Sequence, residues 1–273
     1  MLLAIDIGNT NIVVALFEDN SDPEANAQII HEWRISTDPK RTGDEYFSIV
    51  RMLMMNSAVT QSSISQSVIS SVVPALIGPF VKVVNNITGS KPLIVSPEIY
   101  DRLPLNIPAT AVHEIGSDLL CNAVESWFRY KKPCITVDFG TALTFTAIDG
   151  DAQIQGVAIA PGIGTAVRSL FMNTAQIPSV PLEEPPSALG TNTIQAVQAG
   201  IVLGYKGLVE SLVSRMKSDL SSKTGCPKEE IKVAATGGLN SVLKSLTNCF
   251  DETDKEFTLC GLRRVCLLAS PHR

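Results

Sequence analysis

Two short patterns of the same kind, half a chain apart, constrain the fold more than any other feature of the sequence. Asp-Ile-Gly-Asn-Thr begins at Asp6, and Asp-Phe-Gly-Thr-Ala begins at Asp138, 132 residues later in a chain of 273. Each pattern follows an apolar stretch and precedes a β-branched one, which predicts two antiparallel strands joined by a turn. A chain of this length forms one large domain or two of ordinary size. The repeat therefore predicts two related halves.

The composition indicates a folded protein and excludes several classes of partner. Hydrophobic residues make up 45% of the chain and charged residues 18%, which is enough for a sizeable core. The net charge is −5 and no run of Lys or Arg exceeds two residues, so we expect no nucleic-acid partner. There is no basic leader and no apolar run near the ~20 residues of a membrane helix. The six scattered cysteines form no CxxC and indicate reduced thiols. We expect a cytoplasmic protein that does not bind membranes.

The two Asp-x-Gly turns are candidate phosphate-binding sites. A glycine lets backbone N–H groups approach a phosphate without a Cβ in the way. The neighbouring Asn9 and Thr141 add side-chain donors, and the Asp at the strand end can hold Mg²⁺ against phosphate oxygens. Taken alone, each turn is more typical of an ordinary hairpin, because Asp, Asn and Gly are common turn formers. Their occurrence at corresponding places in two halves favours phosphate binding.

Two further segments are candidates for the rest of such a site. Thr236-Gly237-Gly238 follows a predicted strand and offers small residues against which a flat ring could lie, although an ordinary loop is an equally good interpretation. Asp118 follows Gly116 at the start of a predicted helix. Its carboxylate could accept the proton of a hydroxyl that attacks a γ-phosphate. Asp also suits a helix N-terminus, and spacing alone favours this capping role.

The order of the motifs resembles the superfamily of actin, sugar kinases and heat-shock chaperones, which shares duplicated phosphate hairpins and a late Thr-Gly-Gly. More narrowly, the chain resembles the type III pantothenate kinases over nearly its whole length. The matching segments begin at Asp6, Trp33, Asp44, Ile69, Gly116, Asp138, Gly156, Gly190, Ala235 and Leu259. The resemblance implies an α/β protein with two related domains of the actin-like ATPase (ribonuclease H-like) fold. We expect these domains at residues 1–117 and 118–273, with a cleft between them.

The resemblance also implies ATP-dependent phosphorylation of the primary hydroxyl of pantothenate to 4'-phosphopantothenate, the first step of coenzyme A biosynthesis. It implies ATP with Mg²⁺, a monovalent cation (K⁺ or NH₄⁺) and a homodimer. Asp118 matches the general base of the family, which overrides the capping preference, and Asp138 matches the ligand of the monovalent cation. Asp6 is implied to lie near the metal-bound nucleotide. The implied nucleotide-binding residues are Asp6, Ile7, Gly8, Asn9, Thr10, Asn11, Ile12, Val13, Thr141, Gly237 and Gly238. The implied substrate-binding residues are Gly116, Ser117, Asp118, Leu119 and Thr193, the last one reaching across the dimer interface.

Two positions depart from the family pattern on the acceptor side. Leu119 stands where the family has an Arg, and Ala109 occupies the approximate place of a Tyr. A pantothenate carboxylate would thereby lose a cation partner and an aromatic wall. Two alternatives are therefore a nucleotide-binding regulatory or accessory protein with weak or lost kinase activity, and a kinase for another small hydroxy acid.

Overall fold

The computed structural model describes residues 1–26, 28–57, 59, 63–172, 180–238 and 247–270. Within this part of the chain, two compact units are found. Unit 1 contains Met1–Phe128 together with Phe257–Arg273, and unit 2 contains Arg129–Glu256. The chain thus leaves unit 1, forms unit 2 and returns to unit 1 for its last helix.

In each half of the described chain, three consecutive strands are followed by helices and further strands. The strands are β1 (Leu2–Ile7), β2 (Asn11–Phe17), β3 (Ile29–Ser36), β4 (Gln66–Ser71), β5 (Leu93–Ile94), β6 (Cys134–Phe139), β7 (Ala142–Ile148), β8 (Ile154–Pro161), β9 (Lys232–Thr236) and β10 (Glu252–Thr253). The helices are α1 (Gly43–Asn56), α2 (Pro74–Thr88), α3 (Ser117–Tyr130), α4 (Ile163–Met172), α5 (Thr193–Gln198), α6 (Gly204–Thr224) and α7 (Phe257–Ala269).

The sheet of unit 1 has the order β3-β2-β1-β4-β5 among the described residues. Its central strand β1 runs antiparallel to β2 and parallel to β4. Alternate residues of β1, such as Leu3 and Ile5, join a core with α1 and α2, which supply Tyr46 and Phe80. The other face of β1 carries Ala4 and Asp6, because successive side chains of a strand point to opposite faces. The helix α7 packs against β1 and β4.

The sheet of unit 2 repeats this topology, with the order β10-β9-β6-β7-β8. The central strand β6 is antiparallel to β7 and parallel to β9. The burial pattern of β6 is the same as that of β1, and the pattern of β7 is the same as that of β2. A shift in register also recurs in both sheets. It lies between Leu16 and Phe17 where β2 pairs with β3, and between Ala147 and Ile148 where β7 pairs with β8. The prediction of two related α/β halves is confirmed.

The boundary between the units differs from the expected division after residue 117. Most of α3 and the whole of α7 belong to unit 1, and three contacts explain why. The Thr258 hydroxyl donates to Asn122 Oδ1 at 2.8 Å, and Arg264 Nε donates to Glu125 Oε2 at 2.7 Å with both side chains buried. In addition, a Cβ on Gly261 would lie 2.0 Å from the carbonyl oxygen of Cys121, so the two helix backbones are in direct contact.

The helical segment from Thr193 to Thr224 is interrupted. A π-helical turn, Ala199–Leu203, separates α5 from α6, with Gly200 inside it and Gly204 directly after it. Glycine weakens the regular helix and permits such a local change of winding. By length and composition, residues 193–224 also meet the requirements for a membrane-spanning helix, with 28% of their most apolar stretch buried. That is weak evidence, because the core helix of a globular protein satisfies the same criteria.

The contact between α3 and α7 makes Gly261 a sensitive position. We expect Gly261→Ala to lower the free energy of unfolding by about 1–3 kcal/mol, because the new methyl group overlaps a backbone oxygen that cannot move alone. Gly207→Ala in α6 is the control, since a Cβ there has nothing within 4 Å and alanine should stabilise the helix by about 0.5–1 kcal/mol. Urea denaturation measures both effects. Equal stability of the two variants would contradict the close contact.

Candidate active site

The first hairpin turn joins β1 to β2 and presents an exposed tip. The N–H of Gly8 donates to Asn11 O at 3.0 Å, and a Cβ on Gly8 would lie 3.0 Å from the same oxygen. Thr37, directly after β3, donates its hydroxyl to Gly8 O at 2.7 Å and its N–H to Thr10 O at 3.0 Å. Asn9 and Thr10 are exposed. The predicted hairpin is therefore present, and its tip is accessible to a ligand.

The carboxylate of Asp6 is connected to the start of α3 through two hydroxyl groups. Asp6 is the one half-buried residue in the otherwise buried strand β1. Ser70, its partner in the parallel register, donates to Asp6 Oδ1 at 2.9 Å. The Ser70 and Ser117 oxygens are 2.9 Å apart. Because Ser70 has one hydroxyl proton and gives it to Asp6, Ser117 is the donor to Ser70. Sequence reasoning assigned no role to Ser70, although the matching segment that begins at Ile69 contained it.

Asp118 is the second residue of α3 and is half-buried. Leu119 donates its N–H to Asp118 Oδ1 at 2.8 Å, so the carboxylate satisfies a helix N–H, as the capping interpretation expected. A Cβ on Gly116 would lie 2.4 Å from the same oxygen, which explains the glycine two residues earlier. Burial raises the pKa of Asp118, and the hydrogen bond from Leu119 partly opposes this shift. A carboxylate with a raised pKa is a stronger proton acceptor, which suits a general base.

Negative charge is concentrated around Cys121, one turn further along α3. Burial raises the pKa of this thiol well above its usual range, and the charges of Asp6, Asp118 and Glu125 raise it further. The buried guanidinium of Arg264 pairs with Glu125. Asp6 and Asp118 therefore both place negative charge near the buried Cys121 thiol.

The second hairpin turn joins β6 to β7. Like the first turn, it is hydrogen-bonded by the segment that follows the third strand of its sheet. Thr141 O accepts the Thr165 hydroxyl at 2.7 Å and the Gly162 N–H at 3.0 Å. A Cβ on Gly162 would lie 2.3 Å from Gly140 O, so the segment after β8 packs directly on the turn. Gly140 and Thr141 are exposed. Each unit thus offers an exposed turn whose carbonyl groups are bound by the segment that follows the third strand of its sheet.

The Thr-Gly-Gly segment lies against the carboxylate of the second hairpin. Gly237 has φ +89°, and a Cβ there would lie 2.6 Å from Asp138 Oδ1 and 2.7 Å from Phe139 N. Thr236 pairs with Asp138 in the parallel register of β6 and β9. Its Oγ1 is buried and has no hydrogen-bond partner among the described residues. Sequence reasoning placed Thr236 in a nucleoside-contact loop and did not foresee its pairing with Asp138 in the sheet register. Gly238 is exposed at the end of the loop.

Thr193 is the first residue of α5 and is exposed. Asn192 caps this helix by accepting the Gln195 N–H at 3.0 Å, and Thr191 donates its hydroxyl to Gln195 Oε1 at 2.8 Å. Thr193 lies on the wall of an open groove of about 560 Å³, which is within the usual size range of small-molecule sites. Thr193 belongs to unit 2, whereas Gly116, Ser117, Asp118 and Leu119 belong to unit 1.

The remaining predicted residues contribute in different ways. Ile7 and Ile12 are fully buried in the core of unit 1, so any ligand would meet their backbone rather than their side chains. Asn11 and Val13 are half-buried in β2. Leu119 is 8% exposed, and Ala109 is exposed. In the described part of the chain, no group of three or more His, Cys, Asp or Glu side chains could hold a metal ion by itself.

Comparison with known proteins decides the family. A sequence profile of the type III pantothenate kinase matches residues 2–215. The type III pantothenate kinase of Treponema pallidum (strain Nichols) is 38% identical over 98% of this chain and 94% of its own length. That of Brevibacillus brevis is 40% identical over 97% of this chain and 98% of its own. The chain belongs to the type III pantothenate kinase family.

A solved structure shows the same fold at much lower identity. A chain from Campylobacter jejuni, described as a Baf family transcriptional activator, superposes with a TM-score of 0.56 at 16% identity, covering 96% of both chains. The two mixed sheets with repeated topology and the family membership together confirm the fold class expected from the sequence. As a member of the type III pantothenate kinase family, the chain is an enzyme.

The raised pKa of Asp118 has a consequence for stability. Because the pKa of Asp118 is higher in the folded than in the unfolded protein, its ionised form destabilises the fold at neutral pH. Asp118→Asn keeps an oxygen for the Leu119 N–H and removes the charge. We expect this variant to have a higher Tm than wild type at pH 7. The difference should shrink as the pH falls through the folded pKa, since wild-type Asp118 is then neutral as well.

Thermal unfolding followed by circular dichroism between pH 4 and pH 8 measures this difference. Asp44→Asn on the exposed start of α1 is the matched control and should give no gain, because this Asp is solvated. A lower Tm of Asp118→Asn at pH 7 would show that the charge of Asp118 stabilises the fold.

Proposed function

We propose that the protein transfers the γ-phosphoryl group of ATP to the primary hydroxyl of pantothenate, giving 4'-phosphopantothenate in the first step of coenzyme A biosynthesis. The observation that carries this proposal is the family membership over nearly the whole chain, with relatives of the same family 38% and 40% identical. The local geometry agrees with it, because a half-buried carboxylate and two exposed hairpin turns are the groups that such a reaction requires.

Asp118 acts as the general base in this proposal. Its carboxylate accepts the proton of the pantothenate hydroxyl while the hydroxyl oxygen attacks the γ-phosphorus, and the bond to the ADP oxygen breaks. Burial supports the role because it raises the pKa of Asp118 and thereby its affinity for the proton. Gly116 leaves room for the carboxylate, and the N–H of Leu119 holds one of its oxygens. The protonated Asp118 then releases the proton to solvent.

The nucleotide is bound by the two turns. The backbone N–H groups at their exposed tips, with the side chains of Asn9, Thr10 and Thr141, are suited to phosphate oxygens. Gly237 and Gly238 offer a surface without side chains to the nucleoside. Exposure of both tips supports this assignment.

Mg²⁺ fits at Asp6 and would arrive with ATP. This ion binds through one or two carboxylates together with phosphate oxygens and water, so it requires no cluster of protein ligands. Asp6 supplies one carboxylate, oriented by Ser70. Bound there, Mg²⁺ would neutralise phosphate charge.

The monovalent cation, K⁺ or NH₄⁺, is assigned to Asp138. Thr236 is the register partner of Asp138 in the parallel strand pair, and its buried hydroxyl has no hydrogen-bond partner among the described residues. A buried hydroxyl without a partner is costly, and a cation bound by the carboxylate and this oxygen would remove that cost. Such an ion would add positive charge near the phosphates.

The protein is further proposed to be a cytoplasmic homodimer whose interface lies on unit 2. Large apolar side chains are exposed on consecutive elements of this unit: Val157, Ile159, Met172, Leu189 and Ile194. Apolar surface of this kind marks an interaction site. Contact with a second copy would cover the apolar start of the 193–224 segment, so no membrane is needed to explain it. Thr193 would then reach the pantothenate site of the partner.

The first test of the proposed activity is a coupled assay with ATP, Mg²⁺, K⁺ and pantothenate. We expect Asp118→Asn to lower kcat by about 10²- to 10⁴-fold, the usual contribution of a general base. For wild type, kcat should fall on the acid side with an apparent pKa above 3.8, the ordinary value for this carboxyl, because burial raises the pKa of Asp118. A panel of other small hydroxy acids runs in parallel. Turnover with one of these but not with pantothenate would contradict the proposed acceptor, and ATP binding without turnover would favour the accessory role.

The interface is tested by charge substitution. Ile159→Glu and Ile194→Glu should convert the dimer to monomers in analytical ultracentrifugation, because each places a charge in an apolar contact. Met52→Glu is the control, since Met52 is also exposed, at 64%, but lies in α1 of unit 1. Loss of association in Met52→Glu alone, or a monomeric wild type, would contradict the proposed surface.

A further inference from the structure

In each unit a threonine behind the hairpin turn donates its hydroxyl to a carbonyl oxygen of the turn, to the glycine of the first turn and to the residue after the glycine in the second. The Thr37 hydroxyl donates to Gly8 O at 2.7 Å, and the Thr165 hydroxyl donates to Thr141 O at 2.7 Å. Both acceptors are carbonyl groups of a turn proposed to bind phosphate. Both donors lie in the segment that follows the third strand of their sheet, although the sequences of these segments differ. Both turns are thus held through a carbonyl oxygen by a threonine hydroxyl that comes from outside the turn.

The contact determines which way the turn peptides face. In a planar trans peptide the C=O and the N–H of the next residue point in opposite directions. When Gly8 O points to Thr37, the N–H of Asn9 points away from Thr37. When Thr141 O points to Thr165, the N–H of Ala142 points away from Thr165. A phosphate is attracted by N–H groups and repelled by carbonyl oxygens, so the orientation of these peptides decides whether the turn can bind it.

Thr37 is itself anchored to the core of unit 1. The N–H of the next residue, Asp38, donates to the hydroxyl of Tyr46 at 2.9 Å, and this hydroxyl donates to Asp38 O at 3.0 Å. The ring of Tyr46 is fully buried and lies 4.8 Å, centroid to centroid, from that of Phe80. A rigid connection therefore runs from the core through Tyr46 and Asp38 to Thr37. Thr37 has little freedom to follow the turn if the turn rotates.

We propose that Thr37 and Thr165 are positioning residues for nucleotide phosphates, each of which fixes the orientation of one hairpin turn through a carbonyl oxygen. The inference rests on the proposed function, because it takes both turns to be phosphate sites of ATP. In this role neither hydroxyl touches a substrate. Loss of the Thr37 hydroxyl removes this donor from Gly8 O, and loss of the Thr165 hydroxyl leaves Thr141 O with the Gly162 N–H alone. The turn peptides are then held less firmly, so the cost falls on nucleotide binding and leaves acceptor binding unchanged.

Thr37→Val and Thr165→Val test this role, because valine keeps the shape of threonine and lacks the hydroxyl. Each variant should raise the Kd for MgADP in calorimetry, and the KM for ATP, by about 2- to 10-fold, the usual effect of one hydrogen bond. The KM for pantothenate should not change. Thr37→Ser and Thr165→Ser keep the hydroxyl. Their Kd for MgADP and KM for ATP should therefore remain within about twofold of the wild-type values.

Thr224→Val is the matched control. Thr224 donates its hydroxyl to the carbonyl oxygen of Leu220 at 2.8 Å, at the C-terminal end of α6. Its substitution removes the same kind of bond outside the turns and should leave nucleotide affinity unchanged. If all three valine variants lose similar thermal stability and none loses nucleotide affinity, the threonines are structural and the inference is overturned.

Nucleotide binding by the wild-type protein distinguishes a failure of this inference from a failure of the proposed function. If wild type binds MgADP and both valine variants bind it equally well, the positioning role is overturned and the proposed function stands. If wild type does not bind MgADP or MgATP at all, the proposed function fails and the positioning role fails with it.

Discussion

Both halves of the protein depend on one constraint: a carboxylate must end a central strand that is otherwise buried and still remain open to solvent. Asp6 and Asp138 occupy this place as the half-buried residues of β1 and β6. The parallel neighbour of each must then be small and polar, and it is Ser70 in one sheet and Thr236 in the other. A large apolar side chain there would desolvate the carboxylate at a cost of roughly several kcal/mol, and beside Asp6 it would also remove the hydrogen bond from Ser70. The tight turns follow from the same requirement, since a bulky turn would close the opening.

The repeated sheet could be predicted from the sequence because its signals are local. Turn residues between two apolar strands predict a hairpin from a few positions, and both hairpins are present as expected. The expectation for Asp118 was also close, since the residue lies in the first turn of α3. Burial of Asp118, by contrast, comes from the packing of distant segments around it. Its raised pKa therefore had no signal in the neighbouring sequence.

The features that escaped prediction depend on contacts between distant residues. Ser70 is 64 residues from Asp6 and 47 from Ser117, so their hydrogen bonds cannot be inferred from spacing. The boundary between the units was expected after residue 117 and lies elsewhere. Hydrophobic periodicity shows that a helix has an apolar face, but it does not show which sheet that face packs against. The helix α7 returns to unit 1 through the buried pair of Arg264 and Glu125, 139 residues apart.

This return of α7 affects the order in which the protein can fold during synthesis. The sheet of unit 1 is translated first, but α7, which packs on β1 and β4, leaves the ribosome only after all of unit 2. Until then Glu125 lacks its buried partner Arg264, and the loop carbonyls of Asn20 and Ala25 lack the donors supplied by Arg263. Unit 2 is continuous in sequence and can be completed first, whereas the first-translated unit is finished last. The nascent chain thus exposes one face of its first-translated sheet until α7 has been synthesised. During this period the chain most needs protection from aggregation.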